Sequence, residues 1–304
     1  VKTIIITGPT ASGKTEVAIE LAKRIKGEIV SADSMQIYKY MDIGTAKPTK
    51  EQRSIVKHHL IDIREPGKSF SAGEFRKAAL EIIEDIHSRG KQAIVVGGTG
   101  FYLDALINGL DDVEPVDDKV RLFFDDICEE LGSYYLYEWL EVIDEKWAGR
   151  VSPSDCQRIK RGLSFYVDKG VPLSSLFSNK DKKSDNFLVF VLFASRDFLK
   201  ERIKERTEEM IELGLIEETK ELLEYCSGDC DQLKAIGYKE TMDFLEGRVS
   251  TKDELIKEIT ENTLSFAKRQ LTFFKSRFKN AWWIDIEKED PLTVILDAVS
   301  GHLS

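Results

Sequence analysis

Eight residues near the N-terminus, Gly8-Pro9-Thr10-Ala11-Ser12-Gly13-Lys14-Thr15, have the types and spacing of a phosphate-binding loop. The chemistry of such a loop is backbone chemistry. Successive N–H groups and the first turn of the following helix converge on an anion, the Lys14 ammonium adds a point charge, and the Thr15 hydroxyl can ligate Mg²⁺. The motif specifies a diphosphate or triphosphate without saying whose. Asp33 is the second chemical candidate, because ligands of open parallel sheets bind beyond the carboxyl ends of the strands. A carboxylate there can hold Mg²⁺ through water, or take a proton from a nucleophile attacking beside the phosphates. Its bland alternative is a cap on the turn into Ser34. Thr99 follows Gly97-Gly98, where glycine lets backbone approach a ligand closely.

Other side chains point to polyanions. Arg202 and Arg206 lie four residues apart and share a helix face. They can close over a diphosphate, or pair on the surface with Glu201, Glu205 and Glu209. Residues 263–279 hold five bases and no acid, with Lys268, Arg269, Lys275, Arg277 and Lys279 interleaved with Phe266, Phe273, Phe274 and Phe278. Bases grip a phosphate backbone and aromatics can stack on nucleobases, although aromatics at helical spacing are mostly core. Arg150 and the run Arg158-Ile159-Lys160-Arg161 form a second basic site. The pair His58-His59 lacks acidic partners at ligand spacing, so no metal is assigned to it. Cys128, Cys156, Cys226 and Cys230 make no C-x-x-C pair and have no nearby histidine, which favours free thiols over zinc.

These residues need a scaffold that brings strand ends together. Residues 3–7 read as a buried β-branched strand, and Val17, Ala18, Leu21, Ala22 and Ile25 as the helix after the loop. Residues 28–32 form a second strand ending at Asp33, and a loop region runs on through Pro66-Gly67. An amphipathic helix from Phe75 to Ile86 and an apolar strand at 92–96 complete a βαβ rhythm. The fold class is therefore α/β: a parallel sheet of the phosphate-loop NTPase type with helices on both faces. From about Leu110 the rhythm gives way to helical patterns at 120–131, 134–147 and 155–168, then resumes with strands at 187–193 and 282–286. The expected division is a core of residues 1–110 and 186–304 carrying a helical insertion of residues 111–185.

A net charge of −10 over 304 residues argues against a nucleic-acid binder only until its distribution is read. Residues 110–148 hold thirteen acids against three bases, whereas residues 150–206 hold thirteen bases against seven acids. Segments, rather than totals, are what a polyanion meets. No run reaches the length of a membrane span, and residues 1–3 lead straight into a strand, so a cytoplasmic protein without a signal peptide is expected.

Taken together the segments resemble the bacterial tRNA dimethylallyltransferases over nearly the whole chain. The matching words are the phosphate loop, Ser31-Ala-Asp-Ser-Met-Gln-Ile-Tyr38, Asp42-Ile-Gly-Thr-Ala-Lys-Pro48, His58-His-Leu-Ile-Asp62, Gly97-Gly-Thr-Gly-Phe-Tyr102, Ala235-Ile-Gly-Tyr238 and Ala267-Lys-Arg-Gln270. The resemblance implies transfer of a dimethylallyl group from dimethylallyl diphosphate to the exocyclic amine of the adenosine immediately 3′ of the anticodon in tRNA. It implies a diphosphate in the phosphate loop, held also by Arg202 and Arg206, with Mg²⁺ at Thr15 and, through water, at Asp33. Asp33 becomes the catalytic base, and Thr99 and Lys14 act beside it. Contacts to the tRNA anticodon stem-loop are implied for Asp33, Ser34, Met35, Gln36, Thr99 and Arg121. The same holds for Gln157, Arg158, Ile159, Lys160 and Arg161, and for the 263–270 segment with Lys268, Arg269 and Gln270. A monomer that does not engage membranes is expected.

Two stretches depart from the family pattern. Phe101 stands where leucine is usual, and Arg158-Ile-Lys-Arg-Gly-Leu-Ser164 has Gly162 and Ser164 in place of alanine and glutamate. The competing reading is a small-molecule or nucleotide kinase, which would use the same loop, aspartate and arginine lid with ATP. A non-catalytic RNA-binding protein is a third, opposed by the intact Lys14, Thr15 and Asp33.

Overall fold

A computed structural model describes residues 2–109, 116–176, 186–227 and 230–303. Six parallel strands form one sheet in the order β3-β2-β4-β1-β5-β6. They are β1 (Thr3–Thr7), β2 (Gly27–Ser31), β3 (His58–His59), β4 (Gln92–Val96), β5 (Phe187–Phe193) and β6 (Trp282–Asp285). Between and around them run α1 (Lys14–Ile25), α2 (Lys50–Ile55), α3 (Ala72–Ser88), α4 (Gly100–Asn108), α9 (Arg196–Leu213), α10 (Leu215–Tyr225), α11 (Tyr238–Leu245), α12 (Lys252–Arg277) and α13 (Pro291–Leu303). The phosphate-loop-type parallel sheet expected from the sequence is thus present. Its central strands are continuous apolar runs because both faces are covered. Ile4, Ile6, Ile94 and Phe190 pack with Ala18 and Leu21 of α1 and Ile295 and Val299 of α13, while α3 packs against β2 and β4.

Two compact units divide the chain, residues 1–107 with 184–304, and residues 108–183. The second unit holds α5 (Asp118–Leu131), α6 (Ser133–Ile143), α7 (Glu145–Ala148) and α8 (Cys156–Lys169). These helices close over Phe124, Leu136, Leu140, Ile159 and Leu163. The single helix expected at 134–147 is interrupted at Asp144, whose carboxylate accepts from Trp147 N at 3.1 Å and Ser174 N at 2.8 Å. It therefore caps α7 instead of continuing α6.

Three further expectations are corrected. The region read as loop between Asp33 and Pro66 contains α2, entered through a Thr49/Gln52 capping box, and the two-residue strand β3. β3 is too short to carry an apolar period and exists because His58 and His59 pair with Ile29 and Val30. The basic helix begins at Lys252, not near Thr263, behind a capping box formed by Thr251 and Glu254. The cysteines are paired and not free: Cys128 with Cys156, and Cys226 with Cys230. Packing of α5 on α8 brings the first pair of Cα atoms to 6.8 Å, and the second pair stands at 5.6 Å. Both separations are within bridging reach. Among the described residues no helix is long and apolar enough to cross a membrane.

The pleat of β2 and β3 sorts four polar residues. Successive side chains point to opposite faces, so Glu28 and His59 share one face while Ile29, Ser31 and His58 share the other. Glu28 is 2% exposed. Its carboxylate accepts from Arg89 at 2.5 and 2.8 Å, Lys91 at 2.7 Å and His59 at 2.8 Å. Those donors, Arg89 first, hold its pKa well below the usual carboxylate range against the opposing effect of burial. Glu28→Gln should cost about 3–5 kcal/mol at neutral pH, because it strips one partner from a buried ionic cluster. A carboxylate whose pKa is lowered on folding contributes fully above its unfolded pKa, about 4.3, and loses that contribution as pH falls through the folded value. The stability gap between wild type and variant, read from urea midpoints, should stay level from pH 8 to pH 5 and narrow below about pH 4.

Candidate active site

β4 lies between β1 and β2, so the turns leaving these three strands meet at one sheet edge. Gly97 makes this possible: a β-carbon on it would stand 2.1 Å from Ala32 O. The phosphate loop turns into α1 at Gly13, whose φ of 79° is a left-handed conformation that glycine adopts without strain. Lys14 Nζ folds onto its own loop, donating to Pro9 O at 2.6 Å and Ser12 Oγ at 3.5 Å. Burial and then the nearby Arg206 guanidinium pull its pKa down to about 7, with Asp33 and Glu16 opposing. A docked anion would restore the ammonium, since opposite charge favours the protonated form.

Arg202 and Arg206 face the loop from α9. A β-carbon built on Gly13 would lie 3.6 Å from Arg202 Nη1, and Arg206 Nη1 donates to Thr10 Oγ1 at 3.4 Å. Among the described residues neither arginine pairs with Glu201, Glu205 or Glu209, the alternative that the sequence left open. Burial lowers the pKa of Arg206, which marks it as a cation held away from bulk water.

Asp33 does two things at once. Its Oδ1 accepts from Met35 N at 2.9 Å and Gln36 N at 3.3 Å, closing the turn after β2. Its Oδ2 makes no hydrogen bond among the described residues and is available to a ligand. Thr99 is tied to the same turn: Oγ1 accepts from Ser34 N at 2.9 Å and donates to Ser34 Oγ at 3.2 Å.

Two cavities share Asp33, Arg206 and Gln270 in their walls. The smaller, about 110 Å³, is bounded by Lys14, Thr15, Ser31 and His58. The larger, about 420 Å³, adds Ser34, Thr99 and Arg269 to apolar walls of Ile203, Met210, Ile236, Ile259 and Phe266. A small pocket lined by Lys14 and Arg206 therefore shares walls with a mainly apolar chamber, and the Asp33 carboxylate lines both.

Several expected RNA-contact residues are spent on the protein itself. The Gln36 amide accepts from Ser31 Oγ at 3.3 Å and donates to the carbonyls of Thr45 and Ala46 at 3.2 and 3.3 Å. Gln270, 8% exposed, accepts from Thr10 N and donates to Gly98 O, both at 2.9 Å. Ile159 is buried in the core of the second unit, so its side chain is withdrawn from any RNA surface; the helical period that exposes Arg158 and Arg161 turns it inward. Lys160 is ion-paired with Asp125. Exposed candidates remain. Lys268 and Arg269 stand on the surface of α12, with the Arg269 guanidinium 5.7 Å from the Phe266 ring. Gln157 is exposed, as are Arg121 and Arg158, which each meet an aspartate on their own helix or its cap. Phe274 and Phe278 are core, while Phe266 is 39% exposed on the cavity wall.

One functional residue gave no sign in the sequence. Glu218, in the acid-rich α10, accepts from the backbone N–H groups of Asp42, Ile43 and Gly44 at 3.0, 2.8 and 3.0 Å, and from Tyr238 Oη at 2.7 Å. Three successive amides wrapped on one carboxylate fix the loop whose Thr45 and Ala46 hold Gln36, and Gln36 N in turn holds Asp33. Lys47 closes the loop from beneath, bonded to Asp42 and Asp62 at 2.6 Å each.

Residues 36–277 match the model of a family described as IPP transferase. The chain belongs to that family. A tRNA dimethylallyltransferase of Fervidobacterium nodosum is 43% identical to this chain over 300 residues, covering 99% of it and 96% of the relative. The crystal structure of the full-length tRNA isopentenylpyrophosphate transferase of Bacillus halodurans is 37% identical, with a TM-score of 0.72 over 99% of this chain and 96% of that one. A eukaryotic dimethylallyltransferase captured acting on tRNA is 30% identical, with a TM-score of 0.82 over 93% of this chain and 73% of that one. Glu218→Ala should cost about 2–3 kcal/mol in urea unfolding by leaving three amides without their acceptor, against about 1 kcal/mol for Tyr238→Phe. Equal losses would mean that the carboxylate does not organise the loop.

Proposed function

We propose that this chain transfers the dimethylallyl group of dimethylallyl diphosphate to the exocyclic amine of the adenosine immediately 3′ of the anticodon in a tRNA, releasing diphosphate. The observation that carries the reading is the junction at Asp33 between an anion pocket and an apolar chamber, in a chain whose family relatives bear the name tRNA dimethylallyltransferase. Breaking the donor's C1–O bond sends the electron pair to the diphosphate. The loop amides, Lys14, Arg202 and Arg206 meet that charge where it grows, and one such donor is typically worth about 10²–10³ in rate. Ile203, Met210 and Ile259 shield the allylic cation from water. The adenine amine then bonds to C1 and its proton passes to Asp33 Oδ2, while Thr99 keeps the Asp33–Ser34 turn in place.

The residues present fit a magnesium ion. Thr15 offers a hydroxyl, Asp33 can accept from a metal-bound water, and diphosphate and water would complete the hard oxygen set. Among the described residues no cluster of three or more His, Cys, Asp or Glu side chains could hold a metal by itself. When bound, Mg²⁺ would neutralise the leaving diphosphate. The target base must leave the anticodon-loop stack, at a cost of a few kcal/mol. Phosphate contacts from Lys268, Arg269 and the exposed arginines of the second unit offset that cost, and a tRNA substrate implies a cytoplasmic site of action. Phosphoryl transfer from ATP is not favoured, since the relatives at 43% identity bear the name tRNA dimethylallyltransferase.

Incubation with bulk tRNA should move ¹⁴C from labelled dimethylallyl diphosphate into RNA, and no ³²P from γ-labelled ATP. Asp33→Asn, which keeps the Oδ1 acceptor of the turn and loses the base, should lower the transfer rate at least 10²-fold with tRNA affinity unchanged; phosphate transfer, or full activity in this variant, would refute the assignment. Lys268→Ala with Arg269→Ala should weaken tRNA binding and flatten its log–log salt dependence by about 0.7 per lost phosphate contact, with donor affinity unchanged.

A further inference from the structure

The paired histidines have different fates, and one of them faces the anion pocket. His59 points with Glu28 to one face of the sheet and bonds to it. His58, one residue earlier, shares the opposite face with Ser31 and lines the smaller cavity with Lys14, Thr15, Asp33 and Arg206. Its Nδ1 lies 2.7 Å from Val56 O. A carbonyl can only accept, so Nδ1 carries the hydrogen and Nε2 of the neutral ring presents a lone pair. That Nε2 is buried and has no hydrogen-bond partner among the described residues. Burial keeps the ring neutral by lowering its pKa, with the Arg53 and His59 charges adding to the effect and the Val56 carbonyl opposing it.

Several polar groups of the cavity wall are already engaged. Lys14 and Arg206 only donate, and the Thr45 and Ala46 carbonyls already accept from Gln36. The Gln36 Oε1 accepts from Ser31. Among the described residues, Asp33 Oδ2 and His58 Nε2 are two acceptors on this wall that make no hydrogen bond. A space of about 110 Å³ holds a few waters. Mg²⁺ keeps several of its own waters and takes oxygen in preference to imidazole nitrogen. Such waters are strong donors that need acceptors beyond the first coordination shell. We propose that His58 is a positioning residue for the divalent cation: its Nε2 accepts a hydrogen bond from a cation-bound water opposite Asp33, and so sets the cation's place on the diphosphate. This inference rests on the Mg²⁺–diphosphate reading given above.

The test is calorimetric titration of the full chain with inorganic diphosphate, at zero and at graded Mg²⁺, for wild type, His58→Leu and His58→Gln. His58→Leu should raise the half-saturating Mg²⁺ concentration about 10–100-fold, the range for loss of an outer partner of a metal site. Its metal-free affinity for diphosphate should stay within twofold, which a merely structural defect would not spare. A glutamine amide oxygen can accept in place of Nε2, so His58→Gln should recover part of the Mg²⁺ response; it also carries the test if His58→Leu does not fold. An unchanged Mg²⁺ requirement in both variants, or a parallel fall in metal-free affinity, would overturn the assignment and leave His58 holding a structural water only. If wild-type diphosphate binding ignores Mg²⁺ altogether, the cation reading itself fails, and His58 loses this role with it.

Discussion

β4 is hydrogen-bonded on both sides, to β1 through Ile94 and Val95 and to β2 along its full length. That placement sets the spacing of everything reactive. It puts the phosphate loop and Asp33 one strand apart, with Gly97, Gly98 and Thr99 filling the gap, and only a residue without a β-carbon lets the gap close. A slip in the β2–β4 register would move Thr99 off Ser34 and turn Ser31 and His58 toward the wrong face. The site is therefore a property of strand order first and of side chains second.

Around that edge, polar groups are assigned in tiers. Glu218 organises the loop at 42–48, that loop supplies carbonyls to Gln36, and Gln36 helps hold the turn at Asp33. Each tier satisfies buried donors that would otherwise cost about 1–3 kcal/mol apiece. The reward is that Asp33 presents one oxygen to the site with its other oxygen locked. A chain of net charge −10 thus gathers Lys14, Arg202 and Arg206 around the phosphate loop.

Much of this is legible in the residues alone, for identifiable reasons. The phosphate loop, the strand ends and the apolar strands follow from period and glycine placement, which act locally. β3 is invisible there because two histidines carry no periodicity; its existence is decided by partners on β2. The start of α12 at Lys252 escapes a reading by basic charge because its first turns are acidic and its basic face begins well along the helix. Glu218 looks like any other acid in Leu-Ile-Glu-Glu-Thr-Lys, since its value lies in amides more than 170 positions earlier in the chain. Gln36 and Gln270 suggest outward reach, whereas their amides bridge backbone inside the protein. Ile159 is carried along by its basic neighbours, although one helical step separates the solvent face from the core. The first pair of cysteines meets through packing of α5 on α8, which spacing alone does not reveal.

Lys268, Arg269 and Gln270 are consecutive on one rigid helix, the first two facing solvent and the third clasping the Thr10 amide and the Gly98 carbonyl. One turn of α12 therefore carries two solvent-facing cations on its outside and, on its inside, the amide that ties the loop after β1 to the turn after β4.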